Sequence, residues 1–537
     1  MFATRSRCRG GSDGHRRRAH ARPTAQPPQP QGDLVTDTRP LAQPLLAPAG
    51  ALPIGDGWRP AAETSPVVFP FDGGVVAQAP VGTAADSADA LDAAEAARAE
   101  VAALTTAQRK SILTAVHDRL RAEAERIEDL LILETGKPRV DCRTEVSRTI
   151  VTLQATAEEA SRIHGETVPL DLQELGRGMI GYYTRKPAGV VVAIAGFNYP
   201  LLLATHKLAP AIAAGCPVIV KPAPNTPLAT LELIAIVREV LADHDVTPAA
   251  VQLVNGGPSV GETLVRDPRA QVVSFTGSAK IGHLIAQQAA PRKTLLELGS
   301  NTGFIVAADA DVEAAVDAVV AGGFYANGQA CISVQRILLE RPVADRFAAH
   351  LAERVAELVV GDPRDAATNV APVINAASGE RIRAMIDRAV SAGARVLVGP
   401  GESREADPGS AGAAGPAMIR PTVLGDVPAD VDVWAEEIFG PVVCLTTVDS
   451  VDEAIDLVND SRYGLQAAIF TSSLESAFAA VERLEVGGVV VNEIPGFRSD
   501  IMPYGGVKDS GVGREGPRYA IEEYTVTRMA MIRPRAR

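Results

Sequence analysis

The chain contains few cysteines and no excess of basic residues, and each shortage argues against a class of function. Five cysteines are scattered over 537 residues, and no two are spaced as in a metal-binding knuckle. Scattered, unpaired thiols are typical of a reducing compartment, so we predict a cytoplasmic protein without a metal site. The formal net charge of -13 argues against a nucleic-acid partner, because a nucleic-acid-binding protein carries a basic surface.

Long apolar runs and the Walker phosphate-binding motif are also missing. No apolar run is long enough to cross a membrane, and we predict no membrane segment. The chain is nevertheless long and 46% hydrophobic, which is enough for two or three domains. Its aromatic content of only 4% suits an α/β enzyme better than a β-sandwich.

The first 56 residues differ in composition from the rest. The segment opens with MFATRSRCRGGSDGHRRRAHARPTAQPPQPQ, which is rich in Arg, Gly and Pro and almost free of large apolar side chains. Such a stretch cannot bury enough surface to offset the entropy lost on ordering, so we predict a disordered leader over residues 1–56. An organelle transit peptide is the alternative, since it is also rich in arginine, but no apolar helical face accompanies these arginines.

From residue 57 the chain alternates between helical and extended patterns. Residues 86–163 place apolar side chains three and four apart, which predicts helices, and residues 165–187 have a mixed, extended pattern. From Gly189, short β-branched runs alternate with helical segments, which predicts parallel sheets covered on both faces. Ligands of such sheets bind at the carboxyl ends of the strands. Those ends carry Gly196-Phe197-Asn198, Lys221-Pro222, Thr276-Gly277-Ser278 and Glu297-Leu298-Gly299.

One cysteine, Cys331 in GFYANGQACISVQR, has neighbours in the sequence that suit a nucleophile. A buried thiol is usually a small hydrophobic residue, and catalysis through it needs oxyanion donors and a base as well. Asn198 could supply an amide donor beside the Cys331 backbone amide, and Glu297 could be the base for water. Taken singly, an asparagine or glutamate at a strand end is usually a turn former or a surface charge. Together with Cys331, Asn198 and Glu297 supply a nucleophile, an oxyanion donor and a base.

A strand that ends in FTGS is the best candidate for coenzyme binding. Gly277 would let a flat ring approach the backbone, and Ser278 can cap the next helix, whose amide end favours a phosphate. Lys221 follows the apolar run CPVIV, but taken alone it is better interpreted as a solvated lysine at a strand end.

These motifs, taken together, resemble the aldehyde dehydrogenase superfamily from about Gly57 to the C-terminus, including relatives of the lactaldehyde and succinate-semialdehyde type. The matching stretches occur in the family's order. They are ETGKP (134–138), AGFNYP (195–200), IVKPAPNTP (219–227), FTGS (275–278), LELGS (296–300), NGQACISVQR (327–336), EEIFGPV (436–442), NDSRYGLQAAIF (459–470) and PYGGVKDSGVGREG (503–516).

The resemblance implies a reaction and a coenzyme. The Cys331 thiolate would attack an aldehyde, Asn198 would hold the oxyanion, and Glu297 would activate water to release a carboxylic acid. The implied coenzyme is NAD or NADP, which would be held by Lys221, Thr276, Gly277, Ser278, Leu298, Glu437 and Phe439. Many NAD-preferring members carry a glutamate three residues after the lysine, and Pro224 stands there in this chain. A 2′-phosphate would meet less repulsion, so the choice between NAD and NADP stays open.

Two alternatives to this function remain. A coenzyme A-acylating dehydrogenase typically lacks the glutamate, so Glu297 favours hydrolysis. A structural or binding relative with impaired catalysis would fit departures from the family such as Thr302-Gly303, whereas the intact Cys331, Glu297 and Asn198 weigh against it.

The expected partner is a small-molecule aldehyde, for which three side chains are candidate contacts. Arg498 lies where many members carry an aromatic residue, and a guanidinium there suits a short aldehyde bearing a carboxylate, phosphate or phosphonate. The alternative is that Arg498 makes a structural pair with Asp500 or another acid. Tyr199 and His206 are further candidates for the substrate wall, although a histidine on a mixed helix face is often a satisfied core residue.

The resemblance also predicts the domain organisation of an α/β protein. We expect a Rossmann-type cofactor domain over residues 57–164 and 188–298 and an α/β catalytic domain over 299–510. A β-strand arm, formed by a hairpin at 165–187 and the tail 511–537, would extend a sheet in another subunit, which predicts a homodimer or homotetramer.

Overall fold

Two mainly parallel sheets organise the chain. The computed structural model describes residues 44–399, 404–405 and 415–535. The first sheet has six strands, parallel except at one edge, where Gly511–Val512 runs antiparallel to its neighbour. In spatial order they are Gly511–Val512, Lys293–Glu297, Ala270–Thr276, Val190–Ile194, Val218–Lys221 and Val251–Leu253.

The second sheet has seven strands, again parallel except for one edge strand, Arg395–Val398. In spatial order they are Arg395–Val398, Thr422–Gly425, Val442–Val448, Arg336–Glu340, Gly303–Val306, Gln466–Phe470 and Gly488–Val491. The central strands of both sheets are rich in buried Val, Ile, Leu and Ala residues, as expected for parallel sheets covered on both faces. The predicted α/β class is therefore confirmed.

Helices cover the sheets and connect their strands. Four of them fall in the region predicted to be helical, and the second of the four begins with a capping box at Thr105. The helices are Ala84–Ala103, Thr106–Ala122, Ala124–Thr135, Arg139–Glu159, Pro200–Ala214, Leu228–Asp243, Pro258–Arg266, Ala279–Ala289, Val312–Phe324, Arg341–Ala356, Ala376–Ser391, Asp432–Ala435, Val451–Asn459, Leu474–Arg483 and Pro517–Glu523. Short 3₁₀ turns lie at Ala160–Arg162, Glu174–Gly176, Pro248–Ala250 and Tyr325–Gly328.

The arm is built differently from the predicted hairpin. One long strand, Ile180–Pro187, pairs antiparallel with the C-terminal strand Thr525–Ile532. Residues 165–179 contribute no second strand and contact the ribbon through a bridge from Thr167 to Tyr182. The prediction also assigned residues 511–512 to the arm, whereas they form an edge strand of the first sheet.

The predicted leader extends too far. Ala51–Ile54 is a strand that pairs with Gly57–Pro60. It is buried because its small and apolar side chains pack against the first sheet and a helix that covers it. Residues 1–43 of the predicted leader lie outside the described residues.

The remaining short strand pairs are Glu63–Val68 with Val75–Val81, Val359–Val360 with Arg404–Glu405, and Tyr463–Gly464 with Val507–Lys508. Within the described part of the chain, no helix combines the length and the apolar character needed to cross a membrane.

The register of the first sheet places the candidate residues together at the carboxyl ends of its parallel strands. Glu297 and Thr276 are paired neighbours at the carboxyl ends of adjacent parallel strands. Ile194, which closes the strand before Asn198, pairs with Phe275, the residue before Thr276. Residues that are distant in sequence therefore reach a common crevice.

Candidate active site

The loop before Cys331 is held in an unusual backbone conformation. Ala326, Asn327 and Gly328 all have positive φ angles, of 48°, 60° and 68°. A Cβ atom on Gly328 would lie 2.1 Å from the Gly440 carbonyl oxygen, so only glycine fits there. Strain of this kind persists only where surrounding contacts enforce it.

Buried polar side chains enforce that conformation. The Asp141 carboxylate accepts a hydrogen bond from the Ala326 amide at 2.9 Å. The Asn327 side chain accepts from the Ala371 amide and donates to the Pro372 carbonyl, both at 2.8 Å. The loop is thereby tied to two other segments, and the Cys331 thiol is presented to a cavity.

A cavity of about 370 Å³ brings most of the predicted residues together. Among its lining residues are all the predicted site residues except Lys221: Cys331, Glu297, Asn198, Thr276, Gly277, Ser278, Leu298, Glu437, Phe439, Arg498, Tyr199 and His206. Lys221 ends its strand outside this cavity. The Asn198 amide nitrogen donates to the Gln329 carbonyl at 2.8 Å, which directs it toward the Cys331 loop.

The Cys331 thiol lies in surroundings that disfavour its ionisation. Burial raises the pKa of Cys331 to about 12, and the carboxyl groups of Glu437 and Glu297 add to this effect. Two neighbours act in the opposite direction, namely the Tyr504 hydroxyl, 3.3 Å from Sγ, and the Arg498 guanidinium.

Glu297 is a buried carboxyl group whose hydrogen-bonding capacity is not used by the fold. Neither of its oxygens has a hydrogen-bond partner in the part of the chain that the structure describes. Burial raises the pKa of Glu297 well above its usual range, and the negative charge of Glu515 raises it further. Gly505 lies against it, and a Cβ there would come within 2.9 Å of Oε1.

A charged cluster adjoins Glu297, with Glu515 at its centre. Glu515 accepts a hydrogen bond from Lys207 at 2.7 Å and from Arg498 at 3.3 Å, and the His206 ring lies 3.4 Å away. Burial alone would raise the pKa of Glu515, but these cations outweigh it and hold the pKa well below the usual range. Lys207 also donates to the Thr276 hydroxyl at 2.7 Å, so the cluster reaches the FTGS strand.

Asp500 extends the cluster. Its carboxylate accepts from the Arg148 guanidinium at 2.7 and 3.3 Å and lies 3.6 Å from His206. The predicted alternative for Arg498, a pair with an acid, is therefore realised with Glu515 rather than Asp500, although the Arg498 Nε remains without a partner among the described residues. His206 is buried, but both ring nitrogens lack a hydrogen bond to any residue that the structure describes, unlike a satisfied core histidine.

The other end of the cavity has the features expected for a nicotinamide coenzyme. The helix Ala279–Ala289 begins after Ser278, and no side chain among the described residues caps its first amides, which leaves them available for a phosphate. Outside this cavity, burial lowers the pKa of Lys221 to about 8, and within the described part of the chain its amine has one long hydrogen bond, to the Pro222 carbonyl at 3.4 Å. Burial raises the pKa of Glu437 to about 7. Glu437 accepts a hydrogen bond from the Ser300 amide at 3.0 Å, which fixes its carboxyl group at this end of the cavity. The uncapped helix amides and the nearly unpartnered Lys221 amine are groups that a bound dinucleotide could engage, so the residues fit the coenzyme.

Several residues of the site were not assigned from the sequence. Tyr504 and Glu515 lie within the PYGGVKDSGVGREG motif, so the resemblance pointed to their segment but not to their roles. Arg148, Lys207 and Arg381 occupy helices where nothing in the local pattern distinguishes them from surface cations. The acidic partners of Arg148 and Lys207 come from segments more than three hundred residues away, and Arg381 donates to the Ile438 carbonyl.

Comparisons with known proteins agree with this geometry. The family model "Aldehyde dehydrogenase family" matches residues 58–530. A 3-sulfolactaldehyde dehydrogenase from Priestia aryabhattai is 40% identical over 426 residues, which cover 79% of this chain and 86% of that protein. Aldehyde dehydrogenase 21 from Physcomitrella patens, solved with its reaction product succinate, aligns with a TM-score of 0.84 at 36% identity and covers 91% of this chain and 98% of its own.

A third relative bears on the coenzyme. The glyceraldehyde-3-phosphate dehydrogenase GapN from Methanocaldococcus jannaschii, solved with NADP, aligns with a TM-score of 0.83 at 33% identity and covers 88% of this chain and all of its own. Structures of the family hold either NADP or NAD+. The chain belongs to the aldehyde dehydrogenase family and is an aldehyde dehydrogenase that uses NAD or NADP.

Proposed function

We propose that this enzyme oxidises a short, anionic aldehyde to its carboxylic acid through a covalent bond to Cys331. The observation that carries the proposal is the position of three groups in one cavity: the Cys331 thiol, the Asn198 amide and the unpartnered carboxyl group of Glu297. They correspond to a nucleophile, an oxyanion donor and a base.

The chain's own groups perform the steps that surround hydride transfer. Cys331 releases its thiol proton to solvent, and Sγ bonds to the aldehyde carbon to form the oxyanion of a thiohemiacetal, which the Asn198 amide and the Cys331 backbone amide stabilise. A nicotinamide coenzyme, held by residues such as Thr276, Gly277 and Glu437, would supply the hydride acceptor needed to oxidise this adduct to a thioester. Aldehyde, NAD(P)+ and water are thus converted to acid, NAD(P)H and a proton.

Glu297 completes the cycle by hydrolysis. Its carboxylate takes a proton from water, which attacks the thioester carbon and releases the acid and the Cys331 thiol. The raised pKa of Glu297 suits this role, since a stronger base removes a proton from water more readily. A coenzyme A-acylating enzyme would need no such group, so the buried Glu297 favours water as the acceptor.

The charges of the cluster support an anionic substrate. Arg148, Lys207 and Arg498 contribute three positive charges, and Asp500 and Glu515 contribute two negative ones. Counted without Glu297, which acts as the base in the hydrolysis step, these charges leave one positive charge in excess, in a site largely withdrawn from water. The unpartnered Nε of Arg498 can donate to a carboxylate, sulfonate or phosphate. The similarity to a sulfolactaldehyde dehydrogenase and to an enzyme solved with succinate is consistent with this class.

A panel assay tests the activity. Purified enzyme is mixed with succinate semialdehyde, lactaldehyde, phosphonoacetaldehyde or butyraldehyde, with NAD+ or NADP+, and with or without coenzyme A, while reduced coenzyme is followed by absorbance. We expect oxidation of an anionic aldehyde without coenzyme A. A rate that required coenzyme A would favour the acylating class, and no turnover of any aldehyde would favour the non-catalytic class.

Arg498→Ala tests the anion contact. The variant should lose kcat/KM for succinate semialdehyde by about tenfold or more relative to butyraldehyde, because a charged hydrogen bond contributes about 1.5–3 kcal/mol. Arg381→Ala is the matched control: Arg381 lines the cavity beside Glu437 and Phe439, so its removal should affect both substrates alike. Equal losses in Arg498→Ala would contradict the anion role.

The assembly and the location are further predictions. The arm strand Ile180–Pro187 and its partner expose Ile180, Tyr182, Met531 and Ile532, which a second subunit could cover. We expect a homodimer or homotetramer by light scattering, and a monomer would contradict it. The cytoplasmic location stays a prediction.

A further inference from the structure

Cys331 is a half-buried thiol in surroundings that oppose the negative charge of a thiolate nucleophile. Its burial and the two nearby carboxyl groups all oppose a negative charge on sulfur. Within the described residues, the Tyr504 hydroxyl is the one side-chain group within hydrogen-bond distance of Sγ, at 3.3 Å. Tyr504 takes part in no step of the proposed reaction.

Tyr504 is held rigidly in that position. Its backbone amide donates to the Glu515 carbonyl at 3.1 Å, and the Glu515 amide donates back at 2.7 Å. Its ring is 5% exposed and packs against Ile332 and Leu465. The hydroxyl therefore cannot move away from Cys331 without displacing the ring.

Arg498 makes this hydroxyl a better donor. The guanidinium carbon lies 3.8 Å from the centre of the Tyr504 ring. A cation over an aromatic face withdraws electron density from it, which strengthens the phenol as a hydrogen-bond donor. Donation to a thiolate would be a charge-assisted bond, roughly twice as strong as a bond between neutral groups.

We propose that Tyr504, backed by Arg498, is the hydrogen-bond donor that holds the Cys331 sulfur in position and stabilises it as a thiolate. This inference rests on Cys331 being the nucleophile of the proposed function. The bond costs no covalent change in Tyr504, which keeps its proton throughout. When sulfur bonds to the aldehyde carbon its charge is lost, so the hydrogen bond weakens and the hydroxyl is released.

Alkylation of Cys331 tests this independently of aldehyde oxidation. The rate at which iodoacetamide modifies Cys331 is measured against pH, with the modified peptide identified by mass spectrometry. In Tyr504→Phe, which keeps the ring and loses only the hydroxyl, we expect the rate at pH 7 to fall by about tenfold and the midpoint of the profile to rise by about one pH unit. Tyr504→Met, a second variant without a donor, should show the same shift.

Tyr325→Phe is the matched control. Tyr325 lines the same cavity and has no hydrogen bond to Cys331 among the described residues, so its pH profile should match the wild type. An unchanged profile in both Tyr504 variants would overturn the inference. A loss confined to the turnover of 2-hydroxyaldehydes, with normal alkylation, would also overturn it and assign the hydroxyl to the substrate. An enzyme that alkylates as expected but oxidises no aldehyde would leave this inference standing and contradict the proposed function.

Discussion

Glu145 and Glu297 are both buried glutamates, but the protein satisfies one and leaves the other without partners. Glu145 forms an ion pair with the buried Lys137 and accepts hydrogen bonds from the Leu201 and Leu202 amides at 2.9 and 3.2 Å. Both oxygens of Glu297 lack a partner within the described part of the chain. Buried polar groups in native proteins are almost always hydrogen-bonded. The unsatisfied carboxyl group of Glu297 is consistent with its proposed role as the base for water.

The two glutamates also differ in which parts of the structure they stabilise. The Glu145 carboxylate accepts hydrogen bonds from amides in the first turn of the helix Pro200–Ala214. This helix carries His206 and Lys207. Glu134 does the same for the helix Leu228–Asp243 by accepting from the Leu228 and Ala229 amides. These acids stabilise the scaffold, whereas Glu297 is held on that scaffold at a cost in stability that function explains.

The largest expected effect comes from removing the base. Glu297→Gln should lower the steady-state rate by roughly 10²–10⁴-fold, the usual contribution of a general base. Hydride transfer precedes hydrolysis, so a rapid burst of reduced coenzyme, at most one per active site, should still appear in stopped-flow measurements. Normal steady-state turnover would show that Glu297 is not the base.

The next effect is on folding. Glu145→Gln leaves the Lys137 amine buried without a counterion, so we expect the free energy of unfolding to fall by about 3–5 kcal/mol, measured by urea denaturation. The double variant Lys137→Met with Glu145→Gln should recover part of that loss, because no charge then remains uncompensated. A Glu145→Gln protein as stable as the wild type would break the distinction between the two glutamates.

The pH dependence of stability sharpens the same contrast. Because the pKa of Glu297 is raised in the folded state, the native protein retains a proton that the unfolded chain has released. Stability should therefore fall as the pH rises from the unfolded pKa through the folded one. The difference between wild type and Glu297→Gln, measured by urea denaturation at a series of pH values, isolates this contribution, since Glu134 and Asp141 titrate in both proteins. A difference that did not vary with pH would contradict the raised pKa.

The smallest effect is expected at Asp141, which makes a single backbone contact. An asparagine can still accept from the Ala326 amide, so Asp141→Asn should change the free energy of unfolding by about 1 kcal/mol or less. Its kcat should stay near the wild-type value. A large loss of kcat with normal stability would show that the carboxylate itself contributes to the Cys331 loop.

Prediction from the sequence was most successful where local signals and family motifs coincided. The strand-end positions of Asn198, Thr276 and Glu297 were predicted from the alternation of apolar runs, and they line one cavity. Prediction was wrong for the arm, where residues 165–179 do not form the second strand of a hairpin. Short mixed segments have no period strong enough to show their partner, and here the partner of Ile180–Pro187 lies more than three hundred residues away.

By itself, the sequence determined the α/β class, the family and the chemical types of the central groups, because motif order and side-chain identity are written locally along the chain. Only the tertiary structure decided that Arg498 pairs with Glu515 while Asp500 pairs with Arg148, and that Tyr504 reaches the Cys331 sulfur. It also decided that Glu297 has no hydrogen-bond partner in the part of the chain that is described. Those outcomes depend on distances of a few ångströms between segments remote in sequence. Burial, which strengthens every charge interaction among them, exists only after the chain has folded.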